Sequence, residues 1–118
     1  MIKHIVLFKF KPMISEDEIA SVFQELGKLQ IAISQIRSYT WGKYSSNEGL
    51  NKGFNYCFVM EFASATDRDH YLAHPEHERV KNAIVLPALQ DELNSVLAFD
   101  FVPQQLTLTP KITVFGNR

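Results

Sequence analysis

Hydrophobic positions near the start of the chain recur at every second residue, which is the period of a β-strand. From Ile2 to Phe10, alternate residues on one face are apolar apart from one histidine: His4, Val6, Phe8 and Phe10. Ile5 and Leu7 make the opposite face apolar as well. The pattern therefore predicts a first strand with apolar residues on both faces.

The hydrophobic period changes after Lys11. Ser15 and Glu18 have the spacing of a capping box, in which the serine hydroxyl accepts from the amide of Glu18 while the glutamate reaches back. Apolar residues then follow at intervals of three and four: Ile19, Val22, Phe23, Leu26 and Leu29. This spacing predicts an amphipathic helix that runs to about Gln30.

Three further segments have the β-branched and aromatic composition of strands. They are residues 36–44, 53–62 and 95–102, and a polar loop with glycines separates the first from the second. The second segment alternates most strongly, with these residues on one face: Phe54, Tyr56, Phe58, Met60 and Phe62. Cys57 and Val59 lie on its other face, so this strand is also predicted to be apolar on both sides.

A helix interrupted by proline lies between the last two strands. A serine with an aspartate three residues on predicts a helix over residues 65–74. Pro75 disfavours helical geometry at His74 but suits the first position of a new helix. The sequence therefore predicts a second helical piece from 75 to about 90. The residues expected to turn inward are Val80, Ile84 and Leu89.

The order of elements, β-α-β-β-α-β, is that of the ferredoxin-like α+β fold, an antiparallel four-stranded sheet with both helices on one face. Three of the strands are nevertheless apolar on both faces. An antiparallel sheet in a single small domain usually leaves its second face polar. A second copy of the chain is the simplest cover, so we predict a homodimer.

These elements predict one domain over residues 1–103. The extension, residues 104–118, contains alternating apolar residues around a proline: Leu106, Leu108, Ile112 and Val114. It is expected to form an edge strand or a dimer arm, or to be loosely ordered.

Charge and composition exclude several classes of partner. Twelve basic and thirteen acidic residues give a formal net charge of −1, with no block of like charges, so no nucleic-acid partner is predicted. No apolar run approaches the roughly 18 residues needed to cross a bilayer, which predicts a cytoplasmic protein without a membrane partner. The single cysteine, Cys57, has no second cysteine for a disulfide or a thiolate metal site.

The main chemical candidates lie at the break between the two helical pieces. His77 has a reference pKa of about 6.5, so at neutral pH it is able to take a proton from a carbon between two carbonyls. Tyr71 is placed to donate a hydrogen bond to a substrate carbonyl. The alternatives are a half-exposed histidine with no chemical role and a core tyrosine with its hydroxyl at the surface.

The spacing of His70, His74 and His77 resembles a metal-binding helix face, but Pro75 breaks the helix between the second and third. We therefore predict neither a metal nor a cofactor. For His4 and His74, a purely structural role is the alternative to a place in a site. His4 is a candidate buried histidine bonded to a neighbouring backbone group, and His74 is a candidate cap at the helix break.

Five segments of the chain resemble the stress-responsive A/B barrel, or Dabb, family: IKHIVLFKFK, YTWGKY, KGFNYCFVMEF, YLAHPEH and the closing FDF. The resemblance covers residues 2 to 103 in order. It implies the ferredoxin-like fold described above and a dimer in which two sheets meet as a dimeric α+β barrel.

The resemblance also implies chemistry. The best understood members of the family close a linear polyketide into a ring by aldol condensation, and their Tyr-x-x-His-Pro-x-His segment corresponds to residues 71–77. It implies an apolar small-molecule pocket, with His77 as the general base of a polyketide-cyclase-like lyase and Tyr71 as its hydrogen-bonding assistant. The residues expected to contact the substrate are His4, Val6, Phe8, Phe23, Phe58 and His74.

Two other functions stay open at this point. One is a non-catalytic, stress-related dimeric assembly protein whose apolar interior is filled. The other is a monooxygenase of the wider dimeric α+β barrel group, which would use haem or an activated aromatic substrate.

Overall fold

The computed structural model describes residues 1–106. Its strands are β1 (Ile2–Phe8), β2 (Ser38–Lys43), β3 (Tyr56–Phe62) and β4 (Val96–Phe101). Its α-helices are α1 (Glu16–Gly27), α2 (Leu29–Ala32), α3 (Ala65–Ala73) and α4 (Pro75–Val80). All strand pairs are antiparallel, and the order across the sheet is β2-β3-β1-β4. The predicted ferredoxin-like α+β fold is confirmed.

The start of α1 has the local structure that the sequence predicts. The Ser15 hydroxyl accepts from the Glu18 amide at 3.1 Å, and the Glu18 carboxylate accepts from the Ser15 amide at 3.0 Å. These bonds satisfy amides that have no partner within the helix. The helix then buries its apolar stripe against the sheet: Ile19, Val22, Phe23 and Leu26.

The second helical piece reaches Ala88, close to the predicted end at about 90, but only its first part is α-helical. After α4, the chain forms a π-helical turn, Lys81–Val85, and then a 3₁₀ turn, Leu86–Ala88. Pro87 lacks the amide hydrogen that an α-helix needs at that position, and its ring clashes with the preceding turn. The inward positions are still filled, because Val80 and Leu89 are buried and Ile84 packs against the core.

The inner face of the sheet, under the helices, contains the core. There His4 of β1 lies between Met60 of β3 and Asp100 of β4. Val6, two residues along, lies between Phe58 and Ala98. This register places the one histidine of β1 beside the one carboxylate of β4.

None of the helices within residues 1–106 covers the outer face of the sheet, which is apolar at its centre. Ile5 lies between Val59 and Phe99, and Leu7 lies between Cys57 and Leu97. Phe99 is 60% exposed and Leu97 is 43% exposed. The prediction that the strands are apolar on both faces is therefore correct.

The C-terminal extension lies mostly outside the described residues. Leu106, the last of them, is exposed. The other apolar positions of the predicted edge strand or dimer arm, Leu108, Ile112 and Val114, fall beyond it. Within residues 1–106, no helix is long and apolar enough to cross a membrane.

Candidate functional site

A cavity of about 160 Å³ lies between the inner face of the sheet and the segment that joins α3 to β4. Its wall is mainly apolar: Val6, Phe8, Leu26, Phe58, Leu72, Val85, Leu86, Leu93, Val96 and Ala98. Four polar side chains also line it: His4, Tyr71, His77 and Lys81. A mostly apolar cavity with a few polar groups is the usual form of a small-molecule site.

Tyr71, near the end of α3, is 1% exposed. Its ring packs against Phe62 at 5.2 Å and against His4 at 5.9 Å between ring centroids. Its hydroxyl has no hydrogen-bond partner among residues 1–106, although buried tyrosine hydroxyls usually have one. Burial raises the pKa of Tyr71, so the hydroxyl keeps its proton at neutral pH and is available as a donor.

His77 lies in the first turn of α4, directly after the proline break. Its Nδ1 is 3.0 Å from the carbonyl oxygen of Leu72 and 3.5 Å from a carboxylate oxygen of Glu78. Both neighbours only accept, so Nδ1 carries the proton in the neutral ring and Nε2 carries the lone pair. The ring centroid is 4.6 Å from that of Tyr71. The proline break thus brings the imidazole of His77 against the buried ring of Tyr71.

The pKa of His77 is lower than usual, mainly because burial disfavours the charged ring, while the bond to Leu72 opposes the shift. We expect the ring to titrate below about 6.5 and to carry its proton on Nδ1 at neutral pH. As the pH falls below that value, the unfolded chain binds a proton before folded His77 does. The contribution of His77 to stability is therefore lost as the pH falls toward its folded pKa. The ¹⁵N and ¹H signals of the ring, followed against pH, measure the pKa of His77 and show which nitrogen carries the proton. A pKa at or above about 6.5 would contradict the lowered pKa.

His4 belongs to a chain of three side chains. Its Nδ1 is 2.7 Å from one oxygen of Asp100, and the other oxygen of Asp100 accepts from Arg68 at 3.1 Å. The partner of His4 is thus a carboxylate rather than the backbone group considered above. The carboxylate accepts from Nδ1 and fixes the orientation of the ring, leaving Nε2 of the neutral form as an acceptor. His4 is buried and lines the cavity.

The structure brings together six of the eight residues expected from the sequence: His4, Val6, Phe8, Phe58, Tyr71 and His77. Phe23 and His74 lie outside the cavity lining. Phe23 is fully buried and stacks against Trp41 at 4.5 Å, on the side of the core near β2. His74 is the N-cap of α4, and its Nδ1 accepts from the amide of Glu76 at 3.1 Å.

Because His74 caps a helix, its replacement should affect stability rather than the cavity. We expect His74→Ala to lower the free energy of unfolding by about 1 kcal/mol, the usual cost of a lost N-cap. Urea unfolding of both proteins measures this loss. The ring signals of His4 and His77 should stay unchanged in NMR spectra, and a shift of both signals would instead connect His74 to the cavity.

Larger depressions occur elsewhere on the described surface. One of about 310 Å³ opens on the outer face, along β2 and β3, and another of about 570 Å³ is an open groove between α1 and β2. Neither is lined by a histidine. By volume alone, these two depressions would be the better candidates for a ligand site. Of the three, however, the smaller cavity is the one that combines an apolar wall with groups able to exchange protons.

In the part of the chain that the structure describes, no group of three or more His, Cys, Asp or Glu side chains could hold a metal ion. His70 and His74 lie near each other, with ring centroids 5.8 Å apart. His77, the third member of the spacing considered above, faces Tyr71 instead.

A family model described as the stress responsive A/B barrel domain matches residues 2–103. The chain belongs to this family.

Relatives of this A/B barrel domain cover almost its whole length. Olivetolic acid cyclase of Cannabis sativa is 26% identical over 104 residues, which are 88% of this chain and 98% of the cyclase. A crystal structure of an Arabidopsis thaliana protein superimposes with a TM-score of 0.82 at 30% identity, covering 92% of this chain and 100% of that one. A dimeric ferredoxin-like protein of unknown function from Thermobifida fusca superimposes with a TM-score of 0.68 at 26% identity, covering 86% and 90%.

Three polar members of this A/B barrel domain's site were not predicted from the sequence. Asp100 and Arg68 orient His4, and Lys81 lines the cavity one turn after His77. The alternation of β4 gives the signal for Asp100, because it shares a face with Val96 and Ala98. To place Asp100 beside His4, the register of β4 against β1 must also be known, and the alternation of β4 alone does not predict that register.

Proposed function

We propose that the chain binds small apolar carbonyl compounds in the cavity and removes a proton from the carbon next to the carbonyl group. His77 is the general base, and Tyr71 donates a hydrogen bond to the carbonyl oxygen. His4, oriented by Asp100, is a second polar contact. The proposal places the protein among lyases and related enzymes that use carbon acids.

The observation that carries the proposal is the hydroxyl of Tyr71, which has no hydrogen-bond partner within residues 1–106, beside a neutral His77. A buried donor without a partner costs roughly 1–3 kcal/mol, and a bound carbonyl oxygen would remove that cost. The adjacent ring of His77 has a lowered pKa and a lone pair on Nε2. A proton donor to oxygen next to a proton acceptor for carbon is the pair that enolisation requires.

The reaction follows from these two groups. Nε2 of His77 accepts the proton from the α-carbon, and the electrons of the C–H bond form the C=C bond of an enolate. The negative charge moves to the oxygen, which accepts a shorter hydrogen bond from the Tyr71 hydroxyl. The apolar wall strengthens that bond by excluding water. The imidazolium of His77 then returns the proton to carbon or to a product.

The volume of the cavity limits the substrate. An apolar cavity of roughly 150 Å³ holds a molecule the size of benzene. The 160 Å³ present here therefore suits one ring or a short branched chain. The name of the cyclase relative describes a protein that closes a ring, and this supports a carbon-acid reaction for the present chain.

The test is deuterium exchange into cyclohexanone, a ketone about the size of benzene with hydrogen atoms next to its carbonyl. The protein is incubated with the ketone in D₂O, and loss of the α-proton signal is followed by NMR. We expect exchange faster than in buffer containing the same concentration of imidazole. Exchange at the rate of the imidazole control would exclude the proposal.

We also propose that a second copy of the chain covers the outer face of the sheet. Phe99 and Leu97 are exposed there beside Ile5 and Leu7 of β1, which pair in turn with apolar residues of β3. A continuous apolar face of this kind is uncommon on a monomer. The dimeric protein from Thermobifida fusca supports this assignment through its similarity of fold and sequence.

A further inference from the structure

Lys81 gives the cavity a positive charge that the proposed reaction does not use. Among the described residues it is the only Lys or Arg in the cavity lining, and no carboxylate side chain lines the cavity. An anionic group on a ligand would therefore meet the attractive charge of Lys81, with the carboxylate of Glu78 beside it as a competitor.

Lys81 follows His77 by four residues, so the two side chains lie on the same side of the helical segment. Its side chain is 35% exposed. A lysine in this situation lays its aliphatic part along the apolar wall and keeps its ammonium group at the water boundary. The charge thus lies at the mouth of the cavity, on the side of His77.

The ammonium group is not held firmly by its present partner. Nζ of Lys81 is 3.1 Å from Glu78, three residues earlier, and the Glu78 side chain is 47% exposed. Exposed pairs of this kind contribute only about 0.2–1 kcal/mol to stability. A ligand carboxylate at the mouth could replace Glu78 at small cost, and the ring or chain of the ligand would remain in the apolar interior.

We propose that Lys81 makes the cavity selective for small apolar carbonyl compounds that carry a carboxylate, with the carboxylate bound at the cavity mouth. This inference depends on the proposed function, since it assumes that the cavity takes up a ligand. The charge of Lys81 also contributes, after burial, to the lowered pKa of His77. A bound carboxylate offsets that charge, so the pKa of His77 should rise on binding.

The experiment compares two probes of the same shape, cyclohexanecarboxylate and cyclohexanecarboxamide. Their affinities for the full chain are measured by NMR titration at low ionic strength. The ring signals of His4 and His77 report occupation of the cavity, and those of His70 and His74 report binding elsewhere. We expect the carboxylate to bind about tenfold more tightly, as one charge-assisted hydrogen bond would give.

Variants identify the source of the preference. Lys81→Met should remove it and Lys81→Arg should retain it. Lys28→Met is the matched control, because Lys28 forms the same kind of exposed pair with Glu25 at 2.8 Å and does not line the cavity. Glu78→Gln should tighten carboxylate binding severalfold by removing the competing carboxylate, and it tests the inference even if Lys81→Met fails to fold.

Equal affinity for both probes, or a preference that survives Lys81→Met, would overturn the role of Lys81 while leaving the pocket intact. An unchanged carboxylate affinity in Glu78→Gln would count against it in the same way. If neither probe shifts the signals of His4 and His77, both this inference and the proposed binding function fail. If only the amide binds, the proposed function stands and the carboxylate selectivity is wrong.

Discussion

His77→Gln should lower the rate of deuterium exchange into cyclohexanone by about 10²–10⁴-fold, the usual contribution of a general base. The glutamine amide can still donate to the carbonyl oxygen of Leu72, as Nδ1 of His77 does. It has no basic lone pair to replace Nε2. The substitution therefore removes the proton acceptor and keeps the local hydrogen bond.

The stability of this variant should change little. His77 is half-buried, but glutamine is polar, of similar length and able to keep the bond to Leu72, so we expect the free energy of unfolding to change by no more than about 1 kcal/mol, which urea unfolding measures. His74→Gln is the control, because it replaces an imidazole three residues away that lies outside the cavity. It should keep the exchange rate of the wild type. Exchange by His77→Gln within about threefold of the wild type would remove His77 from the role of base.

Phe99→Glu should convert the protein from a dimer to a monomer. The wild type should sediment at about twice the 13.5 kDa mass of the chain. Phe99 is 60% exposed in the single chain, and burying a phenylalanine contributes about 1.5–3 kcal/mol. In a symmetric dimer each substitution occurs twice and places two carboxylates in an apolar interface. We expect the dimer to weaken by at least about 100-fold.

Ile31→Glu is the matched control for this experiment. Ile31 is 87% exposed, but it lies in α2 and not on the outer face of the sheet. Analytical ultracentrifugation across a range of concentrations should find Ile31→Glu dimeric and Phe99→Glu monomeric. A monomeric wild type, or a Phe99→Glu dimer of unchanged affinity, would contradict the assignment of this face to the dimer.

The sheet and the β1 residues that line the cavity could be predicted from the alternation of apolar and polar residues alone. In a strand, residues two apart share a face, so His4, Val6 and Phe8 had to lie together. Both faces of β1 and β3 are apolar, and this property predicted the uncovered outer surface. The break at Pro75 was equally local, because proline restricts the residue before it and begins a new helix readily.

The parts that escaped prediction depend on how elements pack. The buried stripe of α1 is wide enough that Phe23 and Leu26 both face the sheet, yet only Leu26 reaches the cavity. Which of the two residues reaches the cavity depends on the direction in which α1 crosses the sheet. The helical spacing of apolar residues does not predict that direction. Asp100 was missed for a related reason, since its partner depends on the register of β4 against β1.

The segment after α4 shows a further limit of periodicity. Apolar positions at Val80, Ile84 and Leu89 fit a continued α-helix, and all three do pack inward. The backbone that presents them is a π-helical turn followed by a 3₁₀ turn. Residues of this irregular stretch, Lys81 and Val85, form one wall of the cavity. A spacing pattern identifies which residues are inside, whereas Pro87 changes the geometry that connects them.

The claim that small carbonyl compounds occupy the cavity at His4, Tyr71 and His77 can be tested directly by intermolecular nuclear Overhauser effects. Protein labelled with ¹³C and ¹⁵N is mixed with unlabelled cyclohexanone, and contacts between ketone protons and side-chain protons are assigned. We expect contacts to the rings of Tyr71 and His77. Contacts only to outer-face residues such as Leu97 and Phe99 would show that the ketone binds elsewhere and would contradict the account.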